Sequence, residues 1–280
     1  MINKKYKDRL FCLLFGNEEY KDNILSLYNA LCNTSYTNTD DIQIYTIEDV
    51  IYIKMKNDVS VLLDSFLYLW EQQSTFNPNM PIRGLLYFGK MYDKYITENH
   101  LNIYGKTLIK LPTPKYTVLY NGMDEQPAFM QLRLSDSFIN PDTSGDFEWT
   151  ANMINLNDGK NDDLLDKCQP LKEYMILINE IRKNSVSMGF EDAVDTAVTY
   201  CIEHNVLKSF LLKRRAEVLD VCITEYNEKS FVDGIREEGR KEGQNLLATV
   251  VLRLRNGETP EQILASGVDA KTIELAETIK

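Results

Sequence analysis

Residues 57–81 constrain the fold of this chain more than any other stretch, and they read NDVSVLLDSFLYLWEQQSTFNPNMP. A β-branched apolar run and an aromatic run flank a polar break at Asp64–Ser65, the pattern of two short antiparallel strands joined by a tight turn. With the turn centred on that break, directly opposed residues have numbers summing to about 129, which sets Asp58 across from Glu71 and Lys56 across from Gln73. Alternate residues share a face. One face then carries Lys56, Asp58, Ser60, Leu62, Leu67, Leu69, Glu71 and Gln73, and the other carries Val59, Val61, Leu63, Phe66, Tyr68 and Trp70. A hairpin apolar on both faces belongs at the centre of a sheet covered by helices, where two unpaired carboxylates would be costly.

A shared cation accounts for two carboxylates with Cβ atoms ~5 Å apart. Asp58 and Glu71 would each give an oxygen to one Mg²⁺ (or Mn²⁺) at ~2.1 Å, with water and a substrate phosphate completing the octahedron. The same residues allow a plainer reading, in which Asp58 caps the strand entrance at solvent and Glu71 pairs with Lys54 or Lys56. Spacing alone does not choose between them.

A strand-opening Asp, a hairpin of this length, Glu-x-Gln on its second strand and the run STFNPNMPIRGLLYF together resemble the PD-(D/E)xK nuclease superfamily. The likeness is greatest to the branch described as recombination-promoting nucleases and PD-(D/E)xK family transposases, whose signature reads E-x-Q where most relatives have E-x-K. It extends over the chain up to about residue 245, with EQQSTFNPNMP as its specific part. Asn57–Asp58 stands at the family's Pro-Asp position, and Glu71 and Gln73 stand at its Glu and Lys positions. The resemblance implies a restriction-endonuclease-like α/β fold, metal-dependent cleavage of DNA, and a third acid on the first helix, where Asp8 matches. Gln73 can orient a water, but it cannot neutralise developing charge as an ammonium does. Lys56, opposite Gln73 in this register, is the candidate for a displaced lysine. Asp64 competes with Asp58 for the family's aspartate, although a turn residue points away from the site.

The net charge of −11 at pH 7 argues against a protein that coats nucleic acid through bulk electrostatics, yet it is compatible with a local basic groove. Five cysteines, Cys12, Cys32, Cys168, Cys201 and Cys222, form no CxxC pair, and only His100 and His204 could join them. That is neither a zinc pattern nor a disulfide framework, and it predicts core thiols in a reducing cytoplasm. No apolar run approaches the ~20 residues of a membrane span.

Helical spacing over residues 5–31, interrupted near Gly16, predicts two helices. An edge strand is expected within 42–56. Pro81 suits the start of a helix over about 81–97; Ile82, Leu85, Leu86 and Gly89 are expected to face the sheet. Arg83, Tyr87, Lys90 and Lys94 fall on another face, a phosphate-contacting stripe in which Arg83, Lys90 and Lys94 supply the charge, or simply a solvated surface. Strands are expected at 116–120 and near 131–134, and the acidic stretch 140–166 reads as a solvated loop. Helices follow over 163–232, where Lys213–Arg214–Arg215 either touches DNA or pairs with Glu217 or Asp220. GIREEGRKEG reads as a weak charged helix or hinge. Beyond it Thr259, Pro260 and Gln262 form a capping-box helix start. The expected organisation is an α/β domain over 1–160, a helical region over 161–232, and a C-terminal segment over 233–280 whose short helices serve dimerisation or docking.

Overall fold

The computed structural model describes residues 6–45, 59–63, 65–140, 144–222, 249–255, 258–265, 268 and 270–279. Lys56, Asp58 and Asp64 lie outside the described residues, as do Lys54 and the GIREEGRKEG repeat. Two compact units divide the chain, 1–223 and 224–280.

The first unit is α/β. Its mixed sheet has six strands in the order β1-β2-β3-β4-β6-β5. These are β1 (Gln43–Ile44), β2 (Val59–Leu63), β3 (Phe66–Gln73), β4 (Thr113–Tyr120), β5 (Phe129–Arg133) and β6 (Thr150–Asn155). β2 and β3 form the expected hairpin, pairing Val59 with Trp70 and Leu63 with Phe66, so the register read from the sequence holds over Val59–Leu63, while the expected pairs of Glu71 and Gln73 lie outside the described residues. β1 is the edge strand, antiparallel to β2. β3, β4 and β6 run parallel, and their ends are flush: Gln73 pairs with Tyr120, which pairs with Asn155.

Both faces of the hairpin are covered, as the apolar content of both faces requires. Val59, Val61, Leu63, Tyr68 and Trp70 enter one core with α1 (Tyr6–Phe15), α2 (Lys21–Cys32), α4 (Asp162–Lys167) and α5 (Gln169–Asn184), which α6 (Phe190–Glu203) and α7 (208–222) extend. Leu67 and Leu69 enter a second core against α3 (Met80–Glu98) on the opposite face. α1 and α2 break at Gly16, and a short 3-10 turn over Glu18–Tyr20 begins with Asn17 accepting the Glu19 N–H.

Three expectations need correction. β6 lies inside 140–166, which is therefore not a loop throughout; β6 reads TANMIN, and only Ala151, Met153 and Asn155 of it are buried. A small, an unbranched and a polar residue on the inner face leave no β-branched signal in the sequence. α3 is rotated from its expected orientation: Met80, Gly84, Tyr87, Phe88 and Met91 face the sheet, while Ile82 is 37% and Leu86 52% exposed. The sheet takes the aromatic stripe because those rings bury more area than the aliphatics beside them. Finally, Cys32 is exposed, whereas Cys168, Cys201 and Cys222 are buried.

In the second unit, helical residues 249–255 precede α8 (Pro260–Ala265) and α9 (Ala270–Ile279). The capping box forms as expected. Thr259 N–H donates to Gln262 Oε1 at 2.9 Å, and Gln262 N–H donates to Thr259 Oγ1 at 3.3 Å.

Candidate functional site

Glu71 stands two residues before the carboxyl end of β3 on the α3 face, 1% exposed. In open α/β sheets the carboxyl ends of parallel strands are where ligands bind. Both of its oxygens are engaged. Oε1 accepts Gln73 Nε2 at 2.9 Å and pairs with Arg83 Nη2, while Oε2 accepts the Tyr116 hydroxyl at 2.5 Å. Arg83 Nη2 also donates to Tyr87 Oη at 3.1 Å, and its Cζ lies 5.9 Å from the Tyr87 ring centroid. Burial pushes the Glu71 carboxyl above its ordinary value; the Arg83 charge and the hydrogen bonds from Tyr116, Arg83 and Gln73 oppose that push.

Three elements meet here for local reasons. β3 places Glu71 and Gln73 on one face because residues two apart on a strand do so. β4 runs parallel beside it with Tyr116 paired to Leu69, so the ring reaches along the sheet to Glu71. α3 crosses above and brings Arg83 down because Gly84 follows. A Cβ on Gly84 would lie 2.5 Å from Tyr116 Cε1 and 2.9 Å from Trp149 Nε1. The helix approaches β4 so closely only because that Cβ is missing.

Of the residues singled out in the sequence, the structure brings together Glu71, Gln73 and Arg83. Asp8 is elsewhere. Its helix α1 packs on the opposite face, where burial, and the Asp8 charge after it, push the Tyr174 phenol well above its ordinary value. The basic stripe on α3 does not form as one surface. Tyr87 is buried, Arg83 turns inward to Glu71, and Lys94 Nζ lies 4.7 Å over the Tyr45 ring and 3.9 Å from Glu98. Lys90 stays partly exposed. Neither sequence reading of Glu71 anticipated its partners Arg83 and Tyr116. The glycine next to Arg83 was the available signal, since a glycine inside an otherwise regular helix marks a close approach.

Gln72 points to the other face of the same edge. There it donates to Asn121 Oδ1 at 2.7 Å, and Arg182 donates to the Asn121 carbonyl and to Asn179 at 3.1 Å. This network fastens α5 to the end of β4. The basic cluster on α7 pairs with acids of the same chain at the surface: Lys213 and Arg214 with Glu19, Arg214 with Glu217, and Arg215 with Asp195.

Whether these side chains suit Mg²⁺ turns on donor chemistry. Glu71 offers the hard carboxylate oxygens that Mg²⁺ takes. Among the described residues no group of three or more His, Cys, Asp or Glu converges, and the second carboxylate expected, Asp58, is not among them. No helix among the described residues is long and apolar enough to cross a membrane. No family model, curated protein or solved structure matches the chain. The class that fold and site define is an α/β protein with a mixed sheet and a buried Glu-Arg-Tyr-Gln cluster at its carboxyl edge.

Proposed function

We propose that the chain is a metal-dependent DNA endonuclease on a restriction-endonuclease-like sheet, of the PD-(D/E)xK kind, whose DNA breakage serves recombination or mobile-element transfer. The observation that supports it most is a buried carboxylate with a glutamine two residues on, at the carboxyl edge of a central hairpin whose register was expected from the sequence. Nothing in the packing of an ordinary core calls for such a group.

In this reading Glu71 and Asp58 hold the cation, and Asp8, whose helix packs on the opposite face of the sheet, takes no part. Bound Mg²⁺ supplies Lewis-acid polarisation of the phosphodiester and a more acidic water. Gln73 spends an amide N–H on Glu71, which leaves its carbonyl oxygen to accept a hydrogen bond from the attacking water and aim it. Arg83 provides the positive charge that Gln73 lacks, with Lys56 as the alternative source. Lys90 and Lys94 steer the duplex backbone. The water attacks phosphorus in line with the departing oxygen.

Incubation of supercoiled plasmid with the purified protein tests this. Nicking that requires Mg²⁺ or Mn²⁺, stops with EDTA and is lost in Glu71→Ala is the expected result. No nicking by folded protein would overturn it in favour of a second reading, a nuclease relative that binds DNA or a protein partner without cutting. That reading draws on one observation: both Glu71 oxygens are already engaged, one of them by a guanidinium.

A further inference from the structure

The loop that joins α3 to β4 differs from the rest of the chain in charge. Residues 99–123 hold no Asp or Glu and three lysines, Lys106, Lys110 and Lys115, in a chain whose net charge is −11. Unlike the basic cluster of α7, none of the three pairs with a carboxylate among the described residues. Apolar side chains stand beside them in solvent: Ile103 is 55%, Tyr104 91% and Leu108 77% exposed. The tip is an ordered turn. The Gly105 N–H donates to the Asn102 carbonyl and the Tyr104 N–H to Asn102 Oδ1, each at 3.1 Å, so Ile103 and Tyr104 occupy its two central positions. The far end is tied to α3 by the Tyr92 hydroxyl, which donates to the Pro112 carbonyl at 2.7 Å. Folding gains nothing from an aromatic and aliphatic tip in water, and exposed apolar patches of this kind mark surfaces that meet a partner. Unpaired lysines interleaved with an exposed aromatic suit a polyanion whose bases offer apolar faces.

We propose that the loop over residues 99–115 is a second contact with DNA, in which Lys106, Lys110 and Lys115 take backbone phosphates and the Ile103–Tyr104 tip packs against bases. The inference deepens the nuclease reading and rests on it for the choice of DNA, since it says how the substrate is held away from Glu71. The placement of the loop agrees with this. It leaves α3, which covers the Glu71 face of the sheet, and ends at Thr113, which pairs with Phe66. Glu71 pairs with Val118, five residues further on, which is about 17 Å along the strand at ~3.3 Å per residue. That distance is about half a turn of B-form duplex. A straight duplex running along β3 past Glu71 therefore spans both. An anionic lipid surface, the other polyanion such a loop fits, has no use for that spacing.

Fluorescence anisotropy of a labelled duplex with the full chain, in EDTA and over a range of salt, tests this. Lys106→Gln/Lys110→Gln is expected to make the dependence of log Kd on log salt shallower by about 1.8, the counterion release at two phosphates. Tyr104→Ser should weaken binding about tenfold with the salt dependence unchanged. Lys167→Gln/Lys172→Gln, which removes as much charge from α4 and α5 on the opposite face, should bind as wild type does. The substituted loop side chains are exposed, so the variants keep the fold, as an unchanged unfolding midpoint will show. Loop variants that bind like the control pair would overturn the proposal, and so would a wild-type chain that binds no duplex. Loop-dependent binding to vesicles of phosphatidylserine and phosphatidylcholine, with none to the duplex, would overturn it in favour of a membrane surface. Plasmid nicking separates the two readings. Loop-dependent binding without metal-dependent nicking would keep this contact and remove the nuclease, whereas nicking by loop variants that bind like wild type would keep the nuclease and remove the contact.

Discussion

At the scale of single residues, the Glu71 cluster is held by contacts whose loss has a definite sign. Glu71→Gln keeps the shape and removes the charge, leaving the Arg83 guanidinium without its carboxylate. Because an amide has one acceptor oxygen where the carboxyl group has two, one of the donors now held at Oε1 and Oε2 loses its acceptor, which costs about 1–3 kcal/mol. Urea unfolding should register a loss in that range. The pH dependence separates burial from pairing. Burial raises the Glu71 carboxyl, so the folded state holds its proton more tightly than the unfolded chain does. A raised group contributes stability that is present below the unfolded value, about 4.3 for Glu, and is lost as pH rises through the folded value. The stability of wild type relative to Glu71→Gln should therefore fall as pH rises above that point; a rise would mean that Arg83 outweighs burial. Gly84 offers the steric counterpart. Alanine gains about 1 kcal/mol of helix propensity, but its Cβ would meet a buried Tyr116 ring at 2.5 Å. Overpacking a rigid site costs about 1–3 kcal/mol. Gly84→Ala should be net destabilising and should change the near-ultraviolet dichroism of Tyr116 and Trp149.

At the scale of elements, what the sequence revealed depended on whether the signal was local. The hairpin was legible because its turn, its alternation and its pairing lie within one short stretch; the same holds for the capping box at Thr259 and the helix break at Gly16. The parallel pairing of β3, β4 and β6 joins strands far apart in sequence, and no turn announces it. Hence Tyr116 was assigned to a strand without its contact to Glu71, and β6 was missed. α3 was identified but turned, since its aliphatic and aromatic stripes lie side by side and only the sheet chooses between them. The α7 cluster shows the same limit: Glu19, which pairs with Lys213 and Arg214, is remote in sequence. These side chains hold the Glu19 carboxyl below its ordinary value. Such exposed pairs weaken with salt. The stability difference between wild type and Glu19→Gln should be small in dilute buffer and vanish at about 1 M salt, where the Debye length is ~3 Å. A difference that persists would indicate packing rather than charge.

At the scale of the whole molecule, the division into 1–223 and 224–280 makes a separable prediction. Both cores that sandwich the sheet lie entirely in the first unit, from Tyr6 to Cys222, and the Glu71 cluster lies on the α3 side of that sheet. The second unit has its own small core of Val250, Val251, Leu254, Ile263 and Ala276. So short a segment buries little apolar surface and is marginal on its own. A chain ending at Ile223 should thus keep the main cooperative transition of the full protein at the same midpoint. Thr259→Ala provides the converse. Loss of an N-cap costs about 1 kcal/mol, which a marginal unit feels as lost helix, whereas the main transition does not register it. Circular dichroism at the helix band should show a smaller low-temperature signal in Thr259→Ala with an unshifted main midpoint. A midpoint that moved with Thr259 would mean that the units unfold together, and the 1–223 chain would then lose stability as well.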